Sequence, residues 1–298
     1  MNMDVYKLKP GLQPIHRISK EQFENDTNKQ WPWYQEKGTE TVQYAVCPAC
    51  DNPIRLVALY KRYENSPSPH GRHSPESIQR IADYDQGEYD NCPYANPGMK
   101  LEKNMLREKK NPKSYNTLSL LREQFDRIIY LLQRATGIVF SEKLARDMLT
   151  SFISMRGHLY IGTNLCNLPL MFAYMTTNQN LYGRILDKDS KIIKTLKNNK
   201  NIQISDNNQV KTSNNNFINI NFFFVDHKIS RLDTDCNETI TFKVVMKNKT
   251  IFKEDIAIDP MHFHNLVNLP PERSFRNQRL LDIAAELIPI SDKYKEQP

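Results

Sequence analysis

Four residues in the first hundred have the types and the spacing of a metal site. Cys47 and Cys50 form a Cys-x-x-Cys pair, in which two intervening residues let both sulfurs face one point. An imidazole, His73, and a third thiol, Cys92, follow along the chain. Three thiolates and one imidazole are a ligand set that binds Zn²⁺ in a tetrahedron. We therefore predict a zinc site with the ligands Cys47, Cys50, His73 and Cys92. Because four protein ligands leave no position for water, the predicted ion is structural.

Three alternatives to this ligand set remain open. His70 precedes His73 by three residues and is the reserve imidazole ligand. A Cys-x-x-Cys pair is also a redox motif, but that motif normally opens a helix in a βαβ unit. Here strand-forming residues flank the pair at 42–46 and 54–60, which favours a metal knuckle at the tip of a hairpin. The last alternative is a set of unrelated buried thiols and surface histidines.

The stretch HGRHSP at 70–75, followed by Asn91 and Asn96, supports a further interpretation. It resembles the HNH endonucleases, which often carry zinc-binding Cys-x-x-Cys pairs. The resemblance implies that His70 is a general base that activates a water beside a divalent metal, while His73 binds zinc. The match covers a short part of the chain. It lacks a second Cys-x-x-Cys pair and the acidic residue usually placed before the first histidine.

The distribution of charge predicts a polyanionic partner. The 298 residues carry 41 Lys and Arg against 34 Asp and Glu, a net charge of +7. Residues 1–99 hold 11 basic and 13 acidic side chains, and residues 212–298 hold 11 and 12, so residues 100–211 carry a net +10. A concentrated positive field attracts nucleic acid or an acidic membrane surface. A run of charges is also typical of a solvated linker or helix face. The residues that we predict to contact nucleic acid are Lys103, Arg107, Lys109, Lys110, Lys113 and Arg122.

Cysteine usage and absent motifs narrow the class of protein. The chain has five cysteines, and the two outside the predicted site, Cys166 and Cys236, are expected to be lone thiols. That usage is typical of a reducing compartment, so we expect a cytoplasmic protein. No run approaches eighteen apolar residues and the first residues do not form a signal peptide, so no membrane association is expected. Glycine-rich phosphate loops and the common hydrolase and metalloprotease motifs are absent, and the sequence leaves catalysis open.

The elements that must position these side chains follow from hydrophobic periodicity. Apolar residues at helical spacing predict two amphipathic helices within 116–155, separated by Gly137 and with Ser141 as the second N-cap. A further helix is predicted to begin at Pro75. Residues 198–216 are rich in Asn, Lys and Ser and are predicted to be a surface loop or linker. Alternating residues at 217–222, 239–245 and 250–252, with a turn at 247–249, predict three antiparallel strands.

These elements predict an α+β protein with four parts. The parts are a zinc-knuckle module (1–112), a basic helical region (113–197), a low-complexity loop or linker (198–216) and a small antiparallel sheet with a C-terminal helix (217–298). The function that we expect is zinc-stabilised, non-catalytic binding of nucleic acid, alone or as a subunit of a larger assembly. The alternatives are an HNH-like nuclease and an adaptor or scaffold that binds a protein partner in antiviral defence or a mobile-element system.

Overall fold

The protein is a mixed α+β fold with twelve strands and eight helices among its described residues. The computed structural model describes residues 3–60, 68–109, 111–212, 219–232, 235–270 and 276–289. We call residues 3–99 the N-terminal module and residues 100–289 the helix–sheet body. The predicted metal ligands lie in the N-terminal module.

The strands are short in the N-terminal module and long at the end of the helix–sheet body. They are β1 (Val5–Tyr6), β2 (His16–Arg17), β3 (Tyr34–Lys37), β4 (Glu40–Val46), β5 (Pro53–Val57), β6 (His70–His73), β7 (Gln179–Asn180), β8 (Ile202–Ile204), β9 (Val210–Thr212), β10 (Ile220–Leu232), β11 (Asp235–Met246) and β12 (Lys249–Ile256). All of the pairings between named strands are antiparallel.

The helices dominate the first half of the helix–sheet body. They are α1 (Lys20–Thr27), α2 (Gln86–Asp90), α3 (Pro112–Thr136), α4 (Glu142–Ser154), α5 (Leu168–Tyr174), α6 (Lys191–Lys197), α7 (Pro260–Val267) and α8 (Gln278–Leu287). In the described ranges, none of these helices has the length and apolar character that crossing a membrane requires.

The N-terminal module is built on a four-stranded sheet in the order β3-β4-β5-β6. Strand β4 is buried over its last five residues, and it carries the chain directly into the Cys-x-x-Cys turn. Strand β6 is the outer strand of this sheet, and its last residue, His73, lies opposite Ile54 of β5. The sheet therefore brings His73 back beside the turn that carries Cys47 and Cys50.

The prediction of a helix that begins at Pro75 is wrong. Residues 75–83 form turns instead, in which the Ile78 and Ala82 backbones pair and Arg80 takes a positive φ of 62°. Ile78, Ile81 and Ala82 are buried against β4, so the apolar spacing that suggests a helix serves a packed turn. The helix in this region is α2, which begins at Gln86 behind the N-cap Asp85.

The predicted helical pair of the helix–sheet body is present as α3 and α4. Gly137 ends α3 with a φ of 70°, and its N–H donates to the Gln133 carbonyl at 2.9 Å. Ser141 caps α4 by accepting from the Leu144 N–H at 3.2 Å. These two residues act as the sequence predicts, because the left-handed conformation suits glycine and a serine oxygen satisfies a free helix N–H.

The C-terminal sheet has the order β12-β11-β10-β7. The three predicted strands are present, and β10 and β11 continue well beyond the predicted ranges. Lys247 and Asn248 join β11 to β12 with positive φ values of 48° and 62°, which matches the twist of a two-residue hairpin turn. The fourth strand, β7, is too short for periodicity to reveal it.

The structure adds detail to two parts of the predicted division. The loop predicted at 198–216 contains a hairpin of β8 and β9, in which Ile202 and Val210 are buried; residues 213–216 lie outside the described part. The helical region and the C-terminal sheet, predicted as separate units, share one hydrophobic core that runs from Leu101 to Ile288. The reason is that the apolar faces of α3, α5 and β10 cover one another.

A substitution at Gly137 tests the junction between α3 and α4. A Cβ at this position would lie 2.3 Å from the Ser190 Cβ, in a backbone conformation that other residues rarely adopt. We expect Gly137→Ala to lower the free energy of unfolding by about 1–3 kcal/mol, measured by urea denaturation. Gly38→Ala is the matched control, since Gly38 also has a positive φ but has open space around it. An equal loss in both variants would contradict the role of the Ser190 overlap.

Candidate metal centre

The structure brings the four predicted ligands together. Cys47 and Cys50 lie in the turn after β4, His73 ends β6, and Cys92 follows α2 by two residues. Their ligand atoms all lie within 4.8 Å of one another. The three sulfurs are buried, whereas the His73 ring is half-buried and reaches the surface of the N-terminal module. Three separate segments thus converge on one point.

The distances between the ligand atoms fit a tetrahedral ion. The Cys47 and Cys92 sulfurs are 3.7 Å apart, and the His73 Nε2 lies 3.3 Å from the Cys50 sulfur and 3.7 Å from the Cys92 sulfur. Zinc–sulfur bonds of about 2.3 Å give a tetrahedron with edges of about 3.8 Å. A disulfide requires sulfurs at about 2.05 Å, and all four cysteines at 47, 50, 92 and 166 are free.

The turn that carries Cys47 and Cys50 is held by Asn52. The Cys47 N–H donates to the Asn52 carbonyl at 2.9 Å, and the chain between them turns through Asp51 at a φ of 64°. The fully buried Asn52 amide donates to the Cys50 sulfur at 3.4 Å and to the Asp85 carbonyl at 3.0 Å. Asn52 therefore connects the turn to the start of α2, which leads to Cys92.

The electrostatics of the three thiols favour a cation. Burial opposes ionisation of Cys50, but hydrogen bonds from Cys47, Cys92 and His73 outweigh it and hold the pKa of Cys50 well below its usual value. Burial raises the pKa of Cys47 and that of Cys92 well above the usual value. Three thiolates at these distances repel one another. A divalent cation supplies the charge that allows all three to lose their protons.

The reserve ligand His70 lies outside this cluster. Its ring is buried, and its Nδ1 lies 2.9 Å from the Ser68 carbonyl oxygen. The two asparagines of the HNH resemblance donate to nearby carbonyls, Asn91 to Gly87 at 2.8 Å and Asn96 to Asp90 at 2.9 Å. In the described ranges, no second group of three or more His, Cys, Asp or Glu side chains meets the same proximity.

Arg107 lies inside the protein rather than on a nucleic-acid-binding surface. Its Nε and Nη2 donate to the Glu88 carboxylate at 3.0 and 3.2 Å. Its remaining N–H groups donate to the carbonyls of Tyr160 (2.7 Å), Ile161 (2.9 Å) and Thr163 (2.9 Å). All five donors of the guanidinium are therefore engaged. No N–H group of Arg107 is therefore left for the predicted phosphate contact.

Lys113 and Lys103 are also engaged internally. The Lys113 ammonium lies 3.1 Å from the Glu88 carboxylate and donates to the Cys50 carbonyl. The Lys103 ammonium donates to the Phe224 carbonyl at 3.3 Å and lies 4.6 Å from the centre of the Tyr174 ring, and burial lowers its pKa. These contacts give both lysines structural roles that a count of charges does not reveal.

The other three predicted contacts differ in position. Lys109 is exposed, Arg122 is half-buried on α3, and Lys110 lies outside the described residues. Among the predicted contacts that the structure describes, Lys109 is the one whose side chain is exposed. The prediction for these three residues stays a prediction.

Sequence reasoning missed Glu88, which joins the metal segment to the helix–sheet body. Glu88 belongs to α2, it is buried, and it pairs with both Arg107 and Lys113. Although burial by itself raises the pKa of Glu88, the charges of Arg107 and Lys113 lower it below the usual value. A buried acidic residue between two Asp residues of a polar stretch carries no signal that distinguishes it from a surface residue.

Sequence reasoning also missed a second polar network, which is centred on His227. The His227 Nδ1 lies 2.9 Å from the Tyr160 hydroxyl, and its Nε2 lies 2.7 Å from the Glu238 carboxylate. Asn167 donates to the same carboxylate at 2.6 Å. The His227 side chain has no exposed surface, so this network connects α5 to the sheet inside the core. Its buried groups satisfy one another's hydrogen bonds, which is the usual state of a structural network.

No protein family, curated protein or solved structure matches this chain. The types of the donor atoms therefore indicate which metal ions the site could bind. Thiolate and imidazole donors suit zinc and other transition metals, whereas Mg²⁺ and Ca²⁺ require oxygen ligands. The geometry is compatible with a metal ion of the first kind.

The Glu88 ion pairs should contribute strongly to stability. We expect Glu88→Gln to lower the free energy of unfolding by about 3–5 kcal/mol at pH 7, because it leaves Arg107 and Lys113 without their counter-charge. Since the folded-state pKa of Glu88 is lowered, its contribution is complete above the unfolded value and disappears as pH falls through the folded value. Denaturation of both proteins from pH 7 to about pH 2 measures this, and the difference between them should hold down to about pH 5 and narrow only at lower pH.

Glu286→Gln is the control for this measurement. Glu286 makes a bidentate pair with Arg146 at 2.7 and 2.8 Å, but this pair lies on the surface. Water screens exposed ion pairs. The loss of stability in this variant should therefore be small at every pH of the series. A loss as large as that of the Glu88 variant would show that burial is not the cause.

Proposed function

We propose that this chain is a zinc-stabilised, non-catalytic nucleic-acid-binding protein. The observation that carries the proposal is the cluster of Cys47, Cys50, His73 and Cys92, whose four donor atoms lie within 4.8 Å of one another and could bind one ion as a tetrahedron. With the four positions occupied by protein, no corner is open to a water or a substrate. The ion would then hold the N-terminal module together, as a zinc knuckle at the end of a hairpin.

The positive charge of the chain supports nucleic acid as the partner. The net charge is +7, and nucleic acid is the most abundant polyanion that such a field attracts. Internal ion pairs use part of this charge, but exposed lysines such as Lys109 and Lys188 remain on the surface. Phosphate contacts of this kind position a protein on a nucleic acid without reading its sequence.

The proposal includes a reducing compartment and a separate role for each of the two parts of the protein. Zinc–thiolate ligation requires reduced cysteines, so the cytoplasm is the compartment that fits the site. The N-terminal module would supply the zinc-dependent structure and the helix–sheet body its support, alone or within a larger assembly. The nuclease and the partner-binding adaptor in antiviral defence or a mobile-element system stay predictions. The buried ring of His70 does not favour the first of them.

Metal content tests the first half of the proposal. We expect the purified protein to contain one equivalent of zinc by elemental analysis, and Cys50→Ser to contain much less and to melt at a lower temperature. Cys166→Ser is the matched control, because Cys166 is also a buried free cysteine but its sulfur donates to the Pro48 carbonyl at 3.0 Å outside the cluster. Zinc in the Cys50 variant at the parental level would contradict the assigned ligand set.

Salt-dependent binding tests the second half. We expect a labelled single-stranded or duplex oligonucleotide to bind at about 50 mM salt and to lose at least tenfold in affinity by about 200 mM, because released counterions drive phosphate binding. Fluorescence anisotropy measures the affinity. Lys109→Gln should reduce the slope of log affinity against log salt by about 0.7–0.9 if this lysine contacts a phosphate. Undetectable binding to DNA and RNA at low salt would reject the proposed partner.

A further inference from the structure

A cleft beside the metal centre is the strongest candidate for the binding surface. It has a volume of about 530 Å³, and one wall is formed by Arg55 and Arg72 on the paired strands β5 and β6. Tyr89 of α2 and Tyr94, two residues after the ligand Cys92, form another wall. The volume lies within the range of about 300–1,000 Å³ that is typical of ligand sites.

The positive charge of this cleft is only partly compensated. Its charged lining residues are Lys37, Arg55 and Arg72 against Glu76. Glu76 pairs with Lys37 at 3.3 Å, and Arg55 lies 3.7 Å from Glu40 at the surface. Arg72 is exposed and has no ion-pair partner among the residues that the structure describes. An anion in the cleft would therefore meet a guanidinium that is free to bind it.

The register of the sheet places two like charges face to face. Arg55 and Arg72 are direct cross-strand partners, and like charges in this position destabilise a sheet. A bound phosphate would accept hydrogen bonds from both guanidinium groups and remove the repulsion between them. The repulsion between the two guanidinium groups thus lowers the stability of the free protein, and an anionic ligand would remove this repulsion. Such an arrangement favours the binding of an anion.

Aromatic rings complete the cleft. Tyr44 lies under the Lys37 ammonium, which is 5.6 Å from its ring centre. Tyr89 packs edge-on against the His73 ring at 5.2 Å, and Tyr89 and Tyr94 are both half-buried. Tyrosine rings beside arginine suit a single-stranded nucleic acid, because its bases stack on such rings while its phosphates pair with the cations. An acidic peptide would use the arginines and leave the rings without a role.

We propose that this cleft binds a phosphate and an adjoining base of a single-stranded nucleic acid. The proposal rests on the proposed function and moves its centre from the 103–122 segment to the N-terminal module. Arg72 directly precedes the ligand His73, and Tyr94 closely follows the ligand Cys92. A metal ion bound by these ligands would therefore fix both walls of the cleft and would link metal binding to the shape of the binding surface.

The test compares two variants that each lose two positive charges. Arg55→Gln/Arg72→Gln removes the cations of the cleft, and Lys194→Gln/Lys197→Gln removes two exposed lysines of α6 outside it. The probe is a fluorescein-labelled oligothymidylate of about twelve nucleotides, with anisotropy read at low salt. We expect the cleft variant to bind at least tenfold more weakly and the α6 variant to bind within about twofold of the parent.

Zinc content and melting temperature verify that the cleft variant is folded. Because the substitution removes a repulsive pair, we expect its melting temperature to equal or exceed that of the parent. A loss of zinc or a lower melting temperature would overturn the assignment of Arg55 and Arg72 to ligand binding, since the pair would then support the structure.

The remaining outcomes separate this proposal from the one on which it rests. Equal weakening by the two variants would overturn the cleft while leaving a nucleic-acid-binding protein. No binding by the parent would reject both. Unlabelled oligonucleotide should displace the probe far better than the same concentration of thymidine monophosphate, and equal displacement would overturn the assignment to a strand. Preferential, Arg72-dependent binding of a poly-glutamate peptide would identify an acidic protein segment as the ligand instead.

Discussion

The N-terminal module is organised around three buried sulfurs and one imidazole nitrogen that meet within 4.8 Å and that could bind one metal ion. The pairing of β5 with β6 and the Asn52 hydrogen bonds also join the segments that supply these atoms, and two apolar clusters pack around them. At this cluster the end of β6, the turn after β4 and the residues after α2 come together. The arrangement of these three segments in the module is therefore linked to the cluster.

The buried charges extend this constraint into the rest of the protein. Glu88 belongs to the helix that leads to Cys92, and its carboxylate binds Arg107, which in turn binds three carbonyls around Tyr160. Lys113, at the start of α3, contacts both that carboxylate and the Cys50 carbonyl. Glu88, Arg107 and Lys113 therefore each have a partner at this boundary. Removing any one of them would leave a buried charge unpaired, which has a high cost.

The local parts of the fold could be predicted from the sequence, because short-range chemistry determines them. The four clustered residues were identifiable from thiol and imidazole spacing, and Gly137 and Ser141 from the requirements of helix ends. Tertiary contacts decide the rest. The spacing of Ile78 and Ile81 fits a helix or a packed turn equally well, and only burial against β4 selects the turn. Likewise, charge counting cannot distinguish Arg107, which is inside, from Lys109, which is outside. The cleft depends on the strand register that makes Arg55 and Arg72 neighbours.

Two contacts from the helix–sheet body reach the backbone of the Cys-x-x-Cys turn itself. Lys113 donates to the Cys50 carbonyl, and the Cys166 thiol donates to the Pro48 carbonyl. Docking of the body therefore pre-organises the loop that would chelate the ion. By thermodynamic reciprocity, whatever docking adds to metal affinity, the metal adds to docking. The two halves of the chain would then respond cooperatively to the free zinc concentration, becoming joined or loosened as one unit.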